Sequence, residues 1–194
     1  MRKLIVTNIV SVDGFFEGPG GNVLALPMDS TFDNYNRDRL RAAEILLLGR
    51  RTFEMFQGFW PGMADHPQAT PVHREISVLN GAMQKRVVSD TLAEKLSGAW
   101  ASTTSVLRGA ALHAQIAELK RSGEKDTLIF GSRRLWNDLL KAGLVDELHL
   151  MVGGVVLGGG TPAFDDGARA GLDLLGVEHW DGSSNVLIKY AVRR

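Results

Sequence analysis

Ile45-Leu46-Leu47-Leu48-Gly49-Arg50-Arg51-Thr52-Phe53 is the stretch that decides the fold. Consecutive large aliphatic side chains ending in glycine predict a short strand buried on both faces, as in a parallel sheet covered by helices. Gly49 permits a tight turn or a close backbone approach to a ligand. Thr52 is the expected N-cap of a following helix, with Phe53, Met55 and Phe56 giving its first turns an apolar face. The charge runs against this. Arg50 and Arg51 stand where a helix begins, and the positive end of the helix dipole disfavours cations there. A bound anion would reverse the sign, because free N–H groups, dipole and guanidinium forks would all address it.

The chain carries the same unit again. Thr127-Leu128-Ile129-Phe130-Gly131 reads as a buried strand, and Ser132-Arg133-Arg134-Leu135-Trp136 opens a helix with Ser132 as the expected cap. In an open α/β sheet such turns gather at the carboxyl ends of the strands, where ligands bind. Solvated arginines beside ordinary turns are the plain alternative. A ligand with phosphates accounts for both units at once.

The chain has 194 residues, 44% of them hydrophobic and 23% charged, which suits one globular domain over residues 1–194. With 22 acidic and 22 basic residues the formal charge is zero, so a nucleic-acid partner is not expected. Absence of cysteine excludes disulfides and thiolate metal sites and fits a reducing cytoplasm. Asn8 and Asp13 interrupt the apolar amino terminus, so no signal peptide is expected, and no run of about 18 apolar residues predicts a membrane span.

In chain order, Lys3 to Val10 is strand-like and feeds a turn-rich segment, Glu17 to Asn22, expected to be a long mobile loop, either a lid or plain surface. Ser30-x-x-Asp33 has capping-box form and starts a helix to about Ala43. Asp29 and Asp33 are read either as cap and first-turn acids or as a proton-supplying, substrate-orienting group. Gly58-Phe59-Trp60-Pro61-Gly62 is expected to be an aromatic loop in which Trp60 covers a substrate ring or caps the core. His66 and His73 have no spacing that suggests a metal. Thr70-Pro71 starts a helix to about Gly81; Lys85 to Ser89 and Ala99 to Ser105 are predicted strands, and Gly109 to Arg121 a helix. Val145 to Leu157 is predicted as one bent strand, and Leu172–Trp180 with Asn185–Arg193 as a hairpin. The order is strand–helix repeats followed by an antiparallel carboxy-terminal pair: an α/β fold with a mostly parallel sheet flanked by helices.

Ser11-Val12-Asp13-Gly14-Phe15, Leu47-Leu48-Gly49-Arg50-Arg51-Thr52-Phe53-Glu54, Val87-Val88-Ser89-x-Thr91-Leu92, Phe130-Gly131-Ser132 and Gly143-Leu144-Val145-Asp146-Glu147-Leu148 follow one another in an order that resembles dihydrofolate-reductase-like proteins. The closer resemblance, over nearly the whole chain, is to the reductase domain of the bifunctional riboflavin-biosynthesis deaminase-reductase. The deaminase domain of that branch, with its His and Cys zinc ligands, has no counterpart here.

The resemblance implies an NADPH-dependent reductase. It places Arg50, Arg51 and Ser89 at the 2′-phosphate, and Gly49 and Thr52 at the pyrophosphate. Leu48, Phe130, Gly131, Ser132, Arg133 and Leu135 fall around the two cofactor turns, and Val10 near the nicotinamide. Ser132 stands where dihydrofolate reductases carry the second glycine of a pair. Asp33, or Asp29 through Leu26-Pro27-Met28-Asp29, would match the acid that orients the substrate ring, and Trp60 lies on that side. The expected substrate is a small planar pterin- or pyrimidine-like heterocycle, and the expected assembly is a homodimer through Val145–Leu157 and the terminal hairpin. Two other readings stay open: an NADPH-binding sensor without turnover, and a binder of another phosphorylated ligand such as a flavin nucleotide.

Overall fold

A computed structural model describes residues 2–93 and 96–193; Met1, Glu94, Lys95 and Arg194, the ends of the expected domain among them, lie outside it. The order is β1 (Leu4–Ser11), β2 (Phe15–Glu17), α1 (Ser30–Ala42), β3 (Ala43–Gly49), α2 (Arg50–Met63), α3 (Pro71–Ala82), β4 (Gln84–Val88), β5 (Thr104–Leu107), α4 (Leu112–Arg121), β6 (Asp126–Phe130), α5 (Arg133–Lys141), β7 (Glu147–Gly153), β8 (Thr161–Pro162), β9 (Leu172–His179) and β10 (Val186–Val192). Eight strands form one sheet in the order β5-β4-β3-β6-β1-β7-β10-β9. The first six run parallel, and β10 lies antiparallel between β7 and β9.

Alternation along the central strands divides the core into two layers. Leu46, Leu48, Leu128 and Phe130 meet Leu40, Phe53 and Ile76 of α1, α2 and α3. Leu47, Ile129, Leu4 and Val6 meet Ile116 of α4 and Leu135, Trp136 and Leu139 of α5. This is why β3 reads as an unbroken aliphatic run: both of its faces are covered.

Several sequence expectations need correction. Residues 58–62 are the end of α2, not a loop, and Pro61 sits inside that helix. Pro61 falls in the final turn, so its missing N–H removes one bond just before the helix stops, and Trp60 packs edge-on against Phe56 and Phe59 across the same turns. The expected strand at 99–105 is displaced to Thr104–Leu107, because residues 101–103 form a 3-10 turn. The expected strand 145–157 ends at Gly153, beyond which Val12 N donates to Val155 O in a loop pairing.

The segment after β1 is built rather than loose. Ser11 Oγ accepts from Phe15 N at 2.9 Å, β2 pairs with β8, and Asp13 accepts from Leu157 N and Gly158 N at 3.1 and 2.7 Å. Gly160 needs its glycine: with φ at 130°, an added Cβ would come 2.1 Å from Glu17 O.

Candidate functional site

The chain leaves β3 into α2 on one face of the sheet and leaves the neighbouring β6 into α5 on the other. Turns that diverge in this way open a crevice at the carboxyl edge, where open α/β sheets place their ligands. The turn residues Gly49 to Thr52 line one side of it and Gly131 to Arg134 the other. Ser89 follows β4 next to β3, and Val10 lies near the end of β1, beside β6. The parallel topology thus brings the sequence-predicted cofactor residues to one edge.

Ser132 stands at the N-cap of α5 as expected, whereas Thr52 lies inside α2 rather than at its cap. The N-cap of α2 is Gly49 and that of α5 is Ser132, and neither cap makes a side-chain hydrogen bond to its helix. Thr52 Oγ1 instead accepts from Ser132 N at 2.9 Å, and Ser132 Oγ accepts from Gly49 N at 3.0 Å. The hydroxyls tie the two turns to each other and leave both helix N-termini with free backbone donors. Ser132 holds a left-handed φ of 50° and Gly131 one of 54°; a Cβ on Gly131 would lie 2.9 Å from Thr52 Cγ2.

Charge surrounds these free donors. Arg50 approaches Glu54 only loosely, at 3.9 Å, and Arg51 has no ion pair among the described residues. Arg133 behaves differently from the expectation: its guanidinium reaches away to Pro162 O, Phe164 O at 3.3 Å and the Asp165 carboxylate at 2.8 Å, pinning the β8 rim to α5. Ser89 Oγ accepts from Thr91 N and Leu92 N, closing its own turn, and lies 3.5 Å from Thr91 Oγ1. Val10, Leu48, Phe130 and Leu135 are buried behind the turns and shape the crevice through packing.

On the other side, Asp29 and Asp33 are separated by environment. Asp29, not Ser30, caps α1, accepting from Thr31 N and Phe32 N at 3.0 Å each and from Ser183 Oγ at 2.5 Å. Burial works to raise its pKa, but those bonds and one from Asn185 prevail and hold it below the usual carboxylate value. Asp33 shifts the other way: burial raises its pKa, and His73 offsets this only in part. The two carboxyl groups are thus pushed in opposite directions by their surroundings, Asp29 downward by its hydrogen bonds and Asp33 upward by burial. His73 Nε2 lies 2.8 Å from Asp33 Oδ2, and the Trp60 ring stands edge-on to the imidazole at 6.2 Å. Sequence reading missed His73 because its partner is 40 residues away on another helix. It also missed a chain that runs from α1 out to the surface, in which Tyr35 OH meets buried His149 Nδ1 at 2.6 Å, His149 Nε2 meets Glu147 at 2.8 Å, and exposed Lys3 closes on Glu147 at 2.7 Å. No group of three or more potential metal ligands occurs among the described residues.

A mostly parallel sheet with an antiparallel carboxy-terminal pair and helices on both faces defines the dihydrofolate-reductase-like fold. Dihydrofolate reductase from Enterococcus faecalis, solved in complex with NADP(H) and RAB-propyl, superposes with a TM-score of 0.59 at 18% identity, covering 99% of this chain and 97% of that one. The chain belongs to the RibD C-terminal domain family, whose model matches residues 2–187. Uncharacterized protein YyaP of Bacillus subtilis (strain 168) is 30% identical over 165 residues, 85% of this chain and 81% of that protein. A protein provisionally assigned to riboflavin biosynthesis in Shewanella sp. PV-4 superposes over the full length of both chains, with a TM-score of 0.75 at 21% identity. No helix among the described residues is long and apolar enough to cross a membrane.

Proposed function

We propose that this protein is an NADPH-dependent reductase acting on a small planar pterin- or pyrimidine-like heterocycle. The observation that carries the reading is the pair of uncapped helix N-termini, cross-tied by Thr52 and Ser132 at one crevice and flanked by Arg50 and Arg51. Free N–H groups and two helix dipoles converge on one place, which suits a pyrophosphate. Two exposed guanidinium forks beside it suit a further phosphate, the feature that separates NADPH from NADH. NADPH would supply the hydride; Arg50, Arg51, Ser89 and the two turns would hold it, and Asp33 would orient the substrate ring. The relative crystallised with NADP(H) supports the cofactor class.

Homodimerisation through the β7–β10–β9 face belongs to the same proposal. Leu150, Ile188 and Val177 lie in register across one row of that face, and Leu148, Tyr190 and Leu174 across the next. Leu174 is 61% and Val177 54% exposed, an apolar surface of the kind that subunits cover.

The test of the cofactor reading is calorimetric titration with NADPH, NADP⁺ and NADH. Tight NADPH binding with a marked loss for NADH supports it. Equal, weak binding of all three nucleotides would remove it in favour of another phosphorylated ligand. NADPH binding without turnover of any pterin or pyrimidine would identify a non-catalytic NADPH-binding protein instead.

A further inference from the structure

Asp33 on α1, His73 on α3 and Trp60 on α2 form a continuous row contributed by three helices. An ionised carboxylate can only accept hydrogen bonds, so His73 Nε2 donates to Asp33 Oδ2 across their 2.8 Å. Oδ1 of Asp33 has no hydrogen-bond partner among the described residues, and the side chain keeps 17% exposure, so that oxygen remains reachable. The neighbouring charges are already engaged. Asp29 caps α1, Arg37 and Arg41 pair with Glu75, and Arg74 donates to Ala64 O and His66 O.

A carboxylate's terminal torsion is broad and two-fold, so a lone Asp33 would present either oxygen over a wide range of angles. The imidazole removes that freedom by holding one oxygen. Its own tilt is set by the Trp60 ring on its flank and by the start of α3, where Thr70 Oγ1 accepts from His73 N at 3.2 Å. The row ends at a planar aromatic surface beside a single fixed acceptor.

We infer that His73 is a positioning residue for ligand recognition: by fixing Asp33 Oδ2 it presents Oδ1 to the N–H edge of an amino-substituted planar nitrogen heterocycle. The assignment rests on the reductase reading, since that reading makes this side of the crevice the substrate side. His73 touches no ligand itself; its effect passes through the orientation of Asp33.

Two substitutions separate positioning from packing. His73→Phe keeps a ring against Trp60 and removes the donor, whereas His73→Gln keeps an amide donor and removes the ring. The NADPH-loaded full chain is titrated calorimetrically with 2,4-diaminopteridine, a planar probe with adjacent N–H donors, and NADPH affinity and thermal midpoint are measured for each variant. The expected result is a loss of about tenfold or more in probe affinity for His73→Phe and for Asp33→Asn, near-parental affinity for His73→Gln, and unchanged NADPH affinity throughout. Parental probe affinity in His73→Phe, or an equal loss in His73→Gln and His73→Phe, overturns the assignment. NADPH binding without probe binding in the parent chain overturns this inference alone, while failure of NADPH to bind overturns the reductase reading together with it.

Discussion

Ser132 N and Thr52 Oγ1 lie 2.9 Å apart, joining two turns that are 80 residues apart in sequence. Each hydroxyl that could have capped its own helix serves the other turn, so the crevice is held at a set width while both helix ends keep their donors free. The geometry proposed to hold a phosphate is set by these two bonds within the chain itself.

Thr52→Val removes this bond at nearly constant shape and leaves the buried N–H of Ser132 without a partner. The expected cost is about 1–3 kcal/mol in urea unfolding, with a parallel loss of NADPH affinity. If stability falls and NADPH affinity does not, the tie is structural only.

Arg50→Ala combined with Arg51→Ala is expected to weaken NADPH by about tenfold or more and to leave NADH within a few-fold, because only NADPH carries the phosphate that the guanidinium forks would hold. Nucleotide titrations of the double variant measure this. Equal losses for both nucleotides would place the arginines elsewhere.

Lys85 is fully buried, donates to Met83 O at 2.7 Å and lies 4.5 Å from the Trp100 ring centre, and burial lowers its pKa from 10.5 to about 8. With the folded pKa below the unfolded one, the unfolded chain binds the extra proton between those values. Stability therefore rises as pH goes from about 8 towards 10.5, and the full penalty of the buried ammonium is felt below pH 8. Urea midpoints of the parent chain should climb over that window relative to Lys85→Met. A constant difference between the two curves would contradict the shift.

Val177→Lys, together with Leu174→Lys, places charge on the exposed rows of β9. Light scattering is expected to show a dimer for the parent chain and a monomer for the variant, with the thermal midpoint reporting intact folding. A parent chain that is monomeric at micromolar concentration ends the dimer proposal.

The architecture was legible where pattern and burial coincide. Leu46, Leu47 and Leu48 mark a doubly covered strand by composition alone, and the Gly-Arg and Gly-Ser turns mark the carboxyl edge. Ser132 holds its expected cap position and Thr52 does not, and neither makes the local bond that a Ser or Thr beside a helix start predicts, because both bond across the crevice to partners that only the sheet order supplies. Trp60 was read into a loop because Gly and Pro surround it, yet aromatic packing carries α2 through Pro61. Arg133 was grouped with Arg50 by motif, but the rim that holds it, at 162–165, has no local signal in the sequence. Asp33 and His73 were each visible as residues and invisible as a pair.

The position of β6 between β3 and β1 has a consequence for how the chain is made. Strands β1 and β3 are complete within the first 49 residues, but they have no edge to share until residues 126–130 arrive between them. During synthesis both edges wait unpaired through the growth of three helices and two further strands, and long-range pairing of this kind is slow to form. The crevice comes into being at the same late moment, since its second wall is the turn that follows β6. A ligand held by both turns would therefore recognise only chains in which β6 has already joined β3.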